Sequence, residues 1–512
     1  MLRKIYEKIK NKEDLKNSVL ELKTMLREDL KEDTHNTEAF LYILGGDYSV
    51  ILKLLDNEDA KIRKNAAIIL GELGKNEFLN PLYEAYEKEE MRFVKSAYLE
   101  AIGNLDFRPV LDKIKLRIAE LSATELNDEN RKHIGEEFRL LNNLVHMAEG
   151  VKKHIYTEEK LKLPVTAVLL TNRNHIHVTS EQLIKLNEET ENQFKFKEFN
   201  AGVMVKTKTP SALYQIRTFS ELLFMCDDVK TVSKNENEAA SILGGKEVIN
   251  FIKQFHKEET PFYFRLEVKS KDDEEKRIRF AKRVSAQIAI NSNGMLVNST
   301  DSYEAELRLI ENKEGNYNVL IKLYTMPDDR FLYRKEAVAA SIKPVNAALC
   351  ASLAKDYLKE NAQVLDPFCG TGTMVIERHK ALKTRNIYGI DIFGKAIDKA
   401  RINAENARLT ANFINRDFFD FKHEYLFDEI FTDMPFSMQK SAKNDIDLIY
   451  CRFFNKAAKH LTDEGTIIMY SHDRAVVKKY VPSSEFKIIK EFEISMKEGT
   501  YLYILKKNTA EE

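Results

Sequence analysis

The chain has little of what staples or interrupts a fold. Of its 512 residues only four are cysteine, and Cys226, Cys350, Cys369 and Cys451 stand far apart. With no CxxC pair and no Cys/His cluster, neither a disulfide framework nor a metal site is expected, and the four read as buried thiols of a reduced cytoplasm. Ten prolines and eighteen glycines leave little room for low-complexity linkers, so domain boundaries must be read from changes in hydrophobic period. Net charge is missing too: 80 Lys and Arg stand against 81 Asp and Glu, a formal charge of −1. That balance argues against a protein that holds nucleic acid by bulk charge. Nor does any apolar run approach the ~20 residues that span a bilayer. The first residues, MLRKIYEKIKNKEDLKN, are charged and periodic, so neither a signal peptide nor an anchor is expected. A soluble, cytoplasmic protein follows. What is present, 43% hydrophobic and 10% aromatic residues, suffices for ordinary cores in about three domains.

Residues 1–150 carry a helical period. Leu52, Leu55, Ile62, Ala66, Ile69, Leu70 and Leu73 fall at spacings of three and four, with Lys and Glu between them. Ile62 to Leu73 also echoes Val94 to Leu105: Ile62/Val94, Ala67/Leu99, Leu70/Ile102, Gly71/Gly103 and Leu73/Leu105 coincide. A period of about 32 residues suits a helical solenoid. LLDNEDAKIRKNAAIILGELG resembles a HEAT repeat, with Asp59 as the cap of the second helix and Arg63 as the basic residue that follows. The alternative is a plain helical bundle. Either way this stretch is a binding or packing surface, with no catalytic constellation.

Residues 151–330 change character. VTAVLL, HIHV, FKFKEFN, AGVMVKTKT and LLFMCDDV are short β-branched and aromatic runs, several of them alternating, which reads as strands. FYFRLEV is followed by an amphipathic helix, and AELRLIENKEGNYNVLIKLYT reads as a hairpin turning at Glu314, Gly315 and Asn316. The expectation is an α+β module. Its helix carries Lys276, Arg277, Arg279, Lys282 and Arg283, the densest basic patch near a plausible site, although a solvated face would look the same.

Residues 331–512 hold the chemistry. QVLD ends an apolar strand at Asp366; Pro367, Phe368, Cys369, Gly370, Thr371, Gly372 and Thr373 form a glycine turn; MVIERHKALK then reads as a helix. Such a turn places backbone N–H groups and a positive helix end at the top of a parallel sheet, where an anionic or zwitterionic ligand docks. Asp391 and Ile392 end the next strand, where an acid can accept from ribose hydroxyls. Asp417 with Phe418 and Phe419 suits an adenine ring. A fourth strand, DEIFTDMPFS, carries Asp433, Met434, Pro435 and Phe436 at its end. Taken singly, each acid is also an ordinary turn cap and each phenylalanine an ordinary core residue.

Together, VLDPFCGTGT, YGIDI, INRDFF and TDMPF resemble the motifs of class I S-adenosylmethionine-dependent methyltransferases. The resemblance implies a Rossmann-like α/β domain with S-adenosylmethionine as cofactor and no metal. An (Asp/Asn)-x-Pro-(Phe/Tyr) motif implies methylation of an exocyclic base amine. An aromatic amine is a poor nucleophile because its lone pair is delocalised. Acceptors that grip its protons, here the Asp433 carboxylate and the Met434 carbonyl held by Pro435, turn that pair toward the methyl group while Phe436 stacks on the base. RFLYRKEAVAASIKPVNAALCASLAKDY resembles the junction of THUMP-containing RNA methyltransferases, with Arg334, Ser341, Lys343 and Pro344 in the matching places. The upstream module then resembles a ferredoxin-like piece plus a THUMP-like piece, and Arg279, Lys282, Arg283, Arg334 and Lys343 become candidate RNA contacts. The family implies guanosine N2 of tRNA. Ribosomal RNA, and a catalytically silent scaffold whose repeats bind RNA or a protein partner, stay open. Ser437 departs from the family pattern, where a glycine is usual.

Overall fold

The computed structural model describes the chain apart from residues 33–34, 123–130, 151–152, 192, 259–260, 340, 437–442 and 509–512. Ser437 therefore lies outside the described residues. Two compact units interleave along the chain: Met1–Lys160 with Cys226–Thr325, and Leu161–Met225 with Met326–Glu512. No described helix is long and apolar enough to cross a membrane.

In the first unit the helical period becomes packed helices. Asp59 caps helix Ala60–Leu73 by accepting from the Lys61 N–H, and Arg63 donates to Glu89 and to the Asn57 and Glu58 carbonyls. The echoing helix, Arg92–Gly103, packs directly on it. That approach needs Gly71, because a Cβ there would lie 2.7 Å from the Ala101 Cα. Ile62, Ala67, Leu70 and Leu73 are buried, and so are Val94, Leu99, Ile102 and Leu105. Packing continues through Arg131–Glu149 to Glu274–Asn291, the basic helix. Strand Phe262–Lys269 pairs in parallel with Leu296–Asn298 on one side and Ala305–Glu311 on the other. The last forms a hairpin with Tyr317–Leu323 around Gly315, whose φ is +81°.

The second unit opens with an antiparallel sheet in the spatial order Lys195–Phe199, Gly202–Thr207, Val165–Thr171, Phe219–Met225. His175 to Val178 was expected among the strands, but His175 precedes helix Ile176–Glu189 and the other three residues begin it. Four residues are too few to separate a period of 2 from one of 3.6. An Asx turn decides it: Asn172 Oδ1 accepts from the Asn174 N–H and its carbonyl from the His175 N–H.

Residues 362–507 form a seven-stranded sheet, here numbered β1 (Ala362–Asp366), β2 (Thr384–Asp391), β3 (Asn412–Asn415), β4 (Phe427–Asp433), β5 (Leu461–Ser471), β6 (Phe486–Ser495) and β7 (Thr500–Lys507). The spatial order is β3-β2-β1-β4-β5-β7-β6, and β1 to β5 are parallel. Strand β7 is antiparallel to both of its neighbours, the one reversed strand of the sheet. Period-2 alternation builds the layers. Val364, Phe431, Ile468 and Ile504 meet helices Pro344–Leu353, Thr373–Ala381 and Gly394–Asn406 in one core. Leu365, Ile430, Ile467 and Leu505 meet Lys443–Ala458 and Arg474–Tyr480 in the other. Because strand order reverses between β1 and β4, a crevice opens outside their carboxyl ends.

Candidate active site

That crevice is where the motif residues gather. Asp366 ends β1 fully buried; its Oδ1 accepts from Thr432 Oγ1 at 2.6 Å and from the Phe368 N–H at 3.1 Å, while Oδ2 has no partner. Burial pushes this carboxyl up to about 8 against those two hydrogen bonds, and the neighbouring Asp433 and Asp391 raise it further.

After Asp366 the chain makes its glycine turn. Pro367 is buried and Phe368 half-buried. Cys369 donates its N–H to the Ile390 carbonyl at 2.9 Å, with its thiol buried, and Gly372 N–H closes the turn on the Cys369 carbonyl at 2.8 Å. Gly370 and Gly372 have φ of +51° and +79°, a region costly to residues bearing a Cβ. Beyond Gly370 nothing lies within 4 Å of where a Cβ would sit, so the turn is open there. Gly372 precedes helix Thr373–Ala381, whose first N–H groups no side chain caps, and Thr373 Oγ1 is buried without a hydrogen bond.

Asp391 ends β2 and ties two segments together, accepting the Gly370 N–H on Oδ2 and the Phe393 N–H on Oδ1, both at 2.9 Å. Ile392 and Phe393 beside it are 60% and 68% exposed. Asp417, following β3, caps a short turn by accepting from the Phe419 N–H. Phe418 corrects an expectation. It is 1% exposed, with Phe368, Phe453 and His460 around its ring, so it fills the core and offers no open face for an adenine. Ile392 and Phe393 are the exposed apolar side chains at this end of β2.

Asp433 ends β4, and burial pushes its carboxyl above the usual range, with His472 partly offsetting this. Its Oδ1 is buried without a hydrogen bond. Met434 is buried and anchored by its N–H to the Tyr470 carbonyl at 2.9 Å, Pro435 is half-buried, and Phe436 is exposed. Two residues escaped the sequence reading. His472, just past β5, lies face to face with Phe436 at a centroid distance of 3.7 Å. Asn403 donates to the Thr371 and Glu336 carbonyls and accepts the Glu336 N–H, clasping the glycine turn to the segment before it. Neither lies in a recognisable motif, although the SHD run that ends β5 signals a polar strand end.

The candidate RNA contacts are placed less distinctively. Lys343 is exposed at the start of helix Pro344–Leu353, and Arg334 is half-buried with Nε unpartnered. In the first unit Arg279 pairs with Glu275 and Arg283 with Glu236, and Lys282 sits between them on helix Glu274–Asn291. Among the described residues no three His, Cys, Asp or Glu side chains gather as metal ligands would.

Residues 332–501 match the model of a family described as RMKL-like, methyltransferase domain. A curated tRNA (guanine(10)-N2)-dimethyltransferase of Methanothermobacter thermautotrophicus is 30% identical over 22% of this chain and 33% of its own length. A tRNA (guanine(6)-N2)-methyltransferase of Methanocaldococcus jannaschii is 26% identical over 29% of this chain and 50% of its own. The matches thus span between a third and a half of these curated relatives. In fold, the crystal structure of TrmN from Thermus thermophilus aligns over 67% of this chain and 99% of its own, with a TM-score of 0.51 and 18% identity.

Proposed function

We propose that the chain is an S-adenosylmethionine-dependent methyltransferase acting on the exocyclic N2 of a guanosine in tRNA. The observation that carries this reading is the meeting of two turns at one sheet edge, Gly370–Thr373 after β1 and Asp433–Phe436 after β4, within a segment that matches a methyltransferase-domain model. The curated relatives supply the base and the RNA class.

The residues present fit the cofactor. The open turn at Gly370 and the N–H groups opening helix Thr373–Ala381 suit its carboxylate, and the orphaned Oδ2 of Asp366 suits its ammonium. Asp391 would take the ribose hydroxyls, Ile392 one face of the adenine, and Asp417 the adenine's amine. When bound, S-adenosylmethionine supplies a methyl group already activated by its sulfonium. The protein's own work is then positional. Asp433 and the Met434 carbonyl accept the two amine hydrogens, Pro435 fixes the turn, and Phe436 offers the stacking face. The buried, unpartnered Oδ1 of Asp433 is the acceptor such an amine requires.

The rest of the chain would present the RNA. In this proposal the α+β strands and helix Glu274–Asn291 form a THUMP-like module in which Arg279, Lys282 and Arg283 meet phosphates, Arg334 and Lys343 flank the site, and HEAT-like repeats lengthen the platform or recruit a protein in the cytoplasm. Purified protein given labelled donor and total tRNA is expected to yield N2-methylguanosine on nucleoside mass spectrometry. Methyl groups on adenosine or cytidine overturn the base. Methyl groups on ribosomal RNA alone overturn the RNA class. Donor binding with no transfer to either leaves the scaffold.

A further inference from the structure

We propose that His472 holds the place of the substrate base: its imidazole occupies one face of Phe436 beside Asp433, and a base entering on that face displaces it. This rests on the functional reading above. A base presented for amine methylation has to lie flat on Phe436 and bring an N–H to the Asp433 carboxylate. His472 already meets the first demand, with centroids 3.7 Å apart and planes 19° apart, and approaches the second, with Nε2 3.7 Å from Asp433 Oδ1. One ring face accepts one partner. At 3.7 Å the imidazole is too far for a full hydrogen bond, so Asp433 Oδ1 still lacks one.

The backbone is fixed on both sides of His472. Ser471 pairs with Tyr501 in the sheet, and Asp473 caps helix Arg474–Tyr480 by accepting the Ala475 and Val476 N–H groups. Displacement is therefore a rotation about two side-chain torsions. Tyr470, edge-on at 5.3 Å, offers a neighbouring aromatic surface. An imidazole matches a base in flatness and in carrying N–H groups, and it rejects occupants that stack less well than itself. His472 thus acts as a specificity filter, exchanged only for a larger aromatic ring that also donates to Asp433.

The chain contains no tryptophan, which gives a direct test. In the full-length protein Phe436→Trp is the sole indole, and its emission is expected to rise when His472→Ala is added, because the stacked quencher is gone. Equal emission with and without the imidazole shows that the stack does not exist and overturns the proposal. In steady-state transfer to total tRNA, His472→Ala is expected to lower KM for the RNA about two- to tenfold, the worth of one aromatic pair, with the change in KM rather than kcat. His472→Phe, which restores a stacked ring, returns KM toward the starting value. A KM that rises in His472→Ala means that the base sits between the two rings, and an unchanged KM means that the stack is only structural; either overturns the proposal. A parent protein that transfers nothing to tRNA defeats the functional reading on which this one rests, whereas equal emission or an unlowered KM in an active parent defeats this proposal alone.

Discussion

Asp366 makes the folded protein sensitive to pH in a direction opposite to that of most carboxylates. Its ordinary value of 3.8 is pushed to about 8 by burial, so between those limits the unfolded chain carries it ionised and the folded chain protonated. Stability then falls as pH rises, by about 1.4 kcal/mol per unit for this one group. Its contribution is full below pH 4 and is lost through pH 8. From pH 5 to 7.5 the loss amounts to roughly 3 kcal/mol, or about 6–12 °C in the melting midpoint at 2–4 °C per kcal/mol. Asp366→Asn keeps the shape, can accept on Oδ1 from Thr432 and Phe368, and removes the titration. Thermal melts of both proteins across that window, followed by a probe of the seven-stranded sheet, are expected to diverge with the parent falling faster. Parallel curves would refute the argument, because they would show Asp366 ionised in the folded state from the start. A cationic donor group reaching the orphaned Oδ2 should favour the ionised form, so donor binding measured by calorimetry below pH 8 is expected to release a proton in the parent and none in Asp366→Asn.

Asp433→Ala is expected to abolish methyl transfer and spare donor binding; loss of both in calorimetry would mean that the residue is structural. Gly372→Ala places a Cβ at a φ of +79° and 3.0 Å from the Phe413 ring, so about 1–2 kcal/mol of stability should go, together with donor affinity, as read by thermal melts with and without donor. Arg378 and Glu429 are 0% and 1% exposed and paired through two hydrogen bonds, at 2.6 and 2.8 Å. Arg378→Met should cost about 3–5 kcal/mol by stranding the acid, and Arg378→Met/Glu429→Leu should recover most of it; a double variant no more stable than the single one counts against the pairing. Because Arg279, Arg283 and Lys276 each already face an acid, the dependence of tRNA affinity on salt is expected to be shallow, and a slope equivalent to many phosphate contacts would contradict this.

The methyltransferase-like sheet was the most legible part of the sequence, because each of its first four strands ends in a chemically conspicuous residue. Asp366, Asp391, Asp417 and Asp433 had to fall at one edge once their strands were parallel. Alternation in VLD, EIF and TIIM also set which residues face which helical layer. What was not legible depends on contacts distant in the chain. The interleaved units bring Cys226–Thr325 to Met1–Lys160, and no local period announces that. Phe418 had the right type and place for stacking on a ligand, yet a core of Phe453 and His460 closes over it, and burial of that kind cannot be read from spacing. His472 and Asn403 were missed for a related reason. Their roles come from what lies opposite them, Phe436 and the Thr371 carbonyl, 36 and 32 residues away.

Two acids buried in this unit are paired, Glu429 with Arg378 and Glu377 with Arg217. Around the crevice Asp366 Oδ2, Asp433 Oδ1 and Thr373 Oγ1 are buried without a hydrogen bond, and Asp433 adds to the rise that burial gives the Asp366 carboxyl. Each orphan costs roughly 1–3 kcal/mol, a burden that packing alone would remove by substitution. A zwitterionic donor and an amine-bearing base carry the groups these atoms lack, an ammonium for Asp366 and N–H donors for Asp433. On the proposed reading, binding would satisfy the acids at the moment it aligns the reactants, and the hydrogen bonds these atoms lack would favour ligands whose donors match.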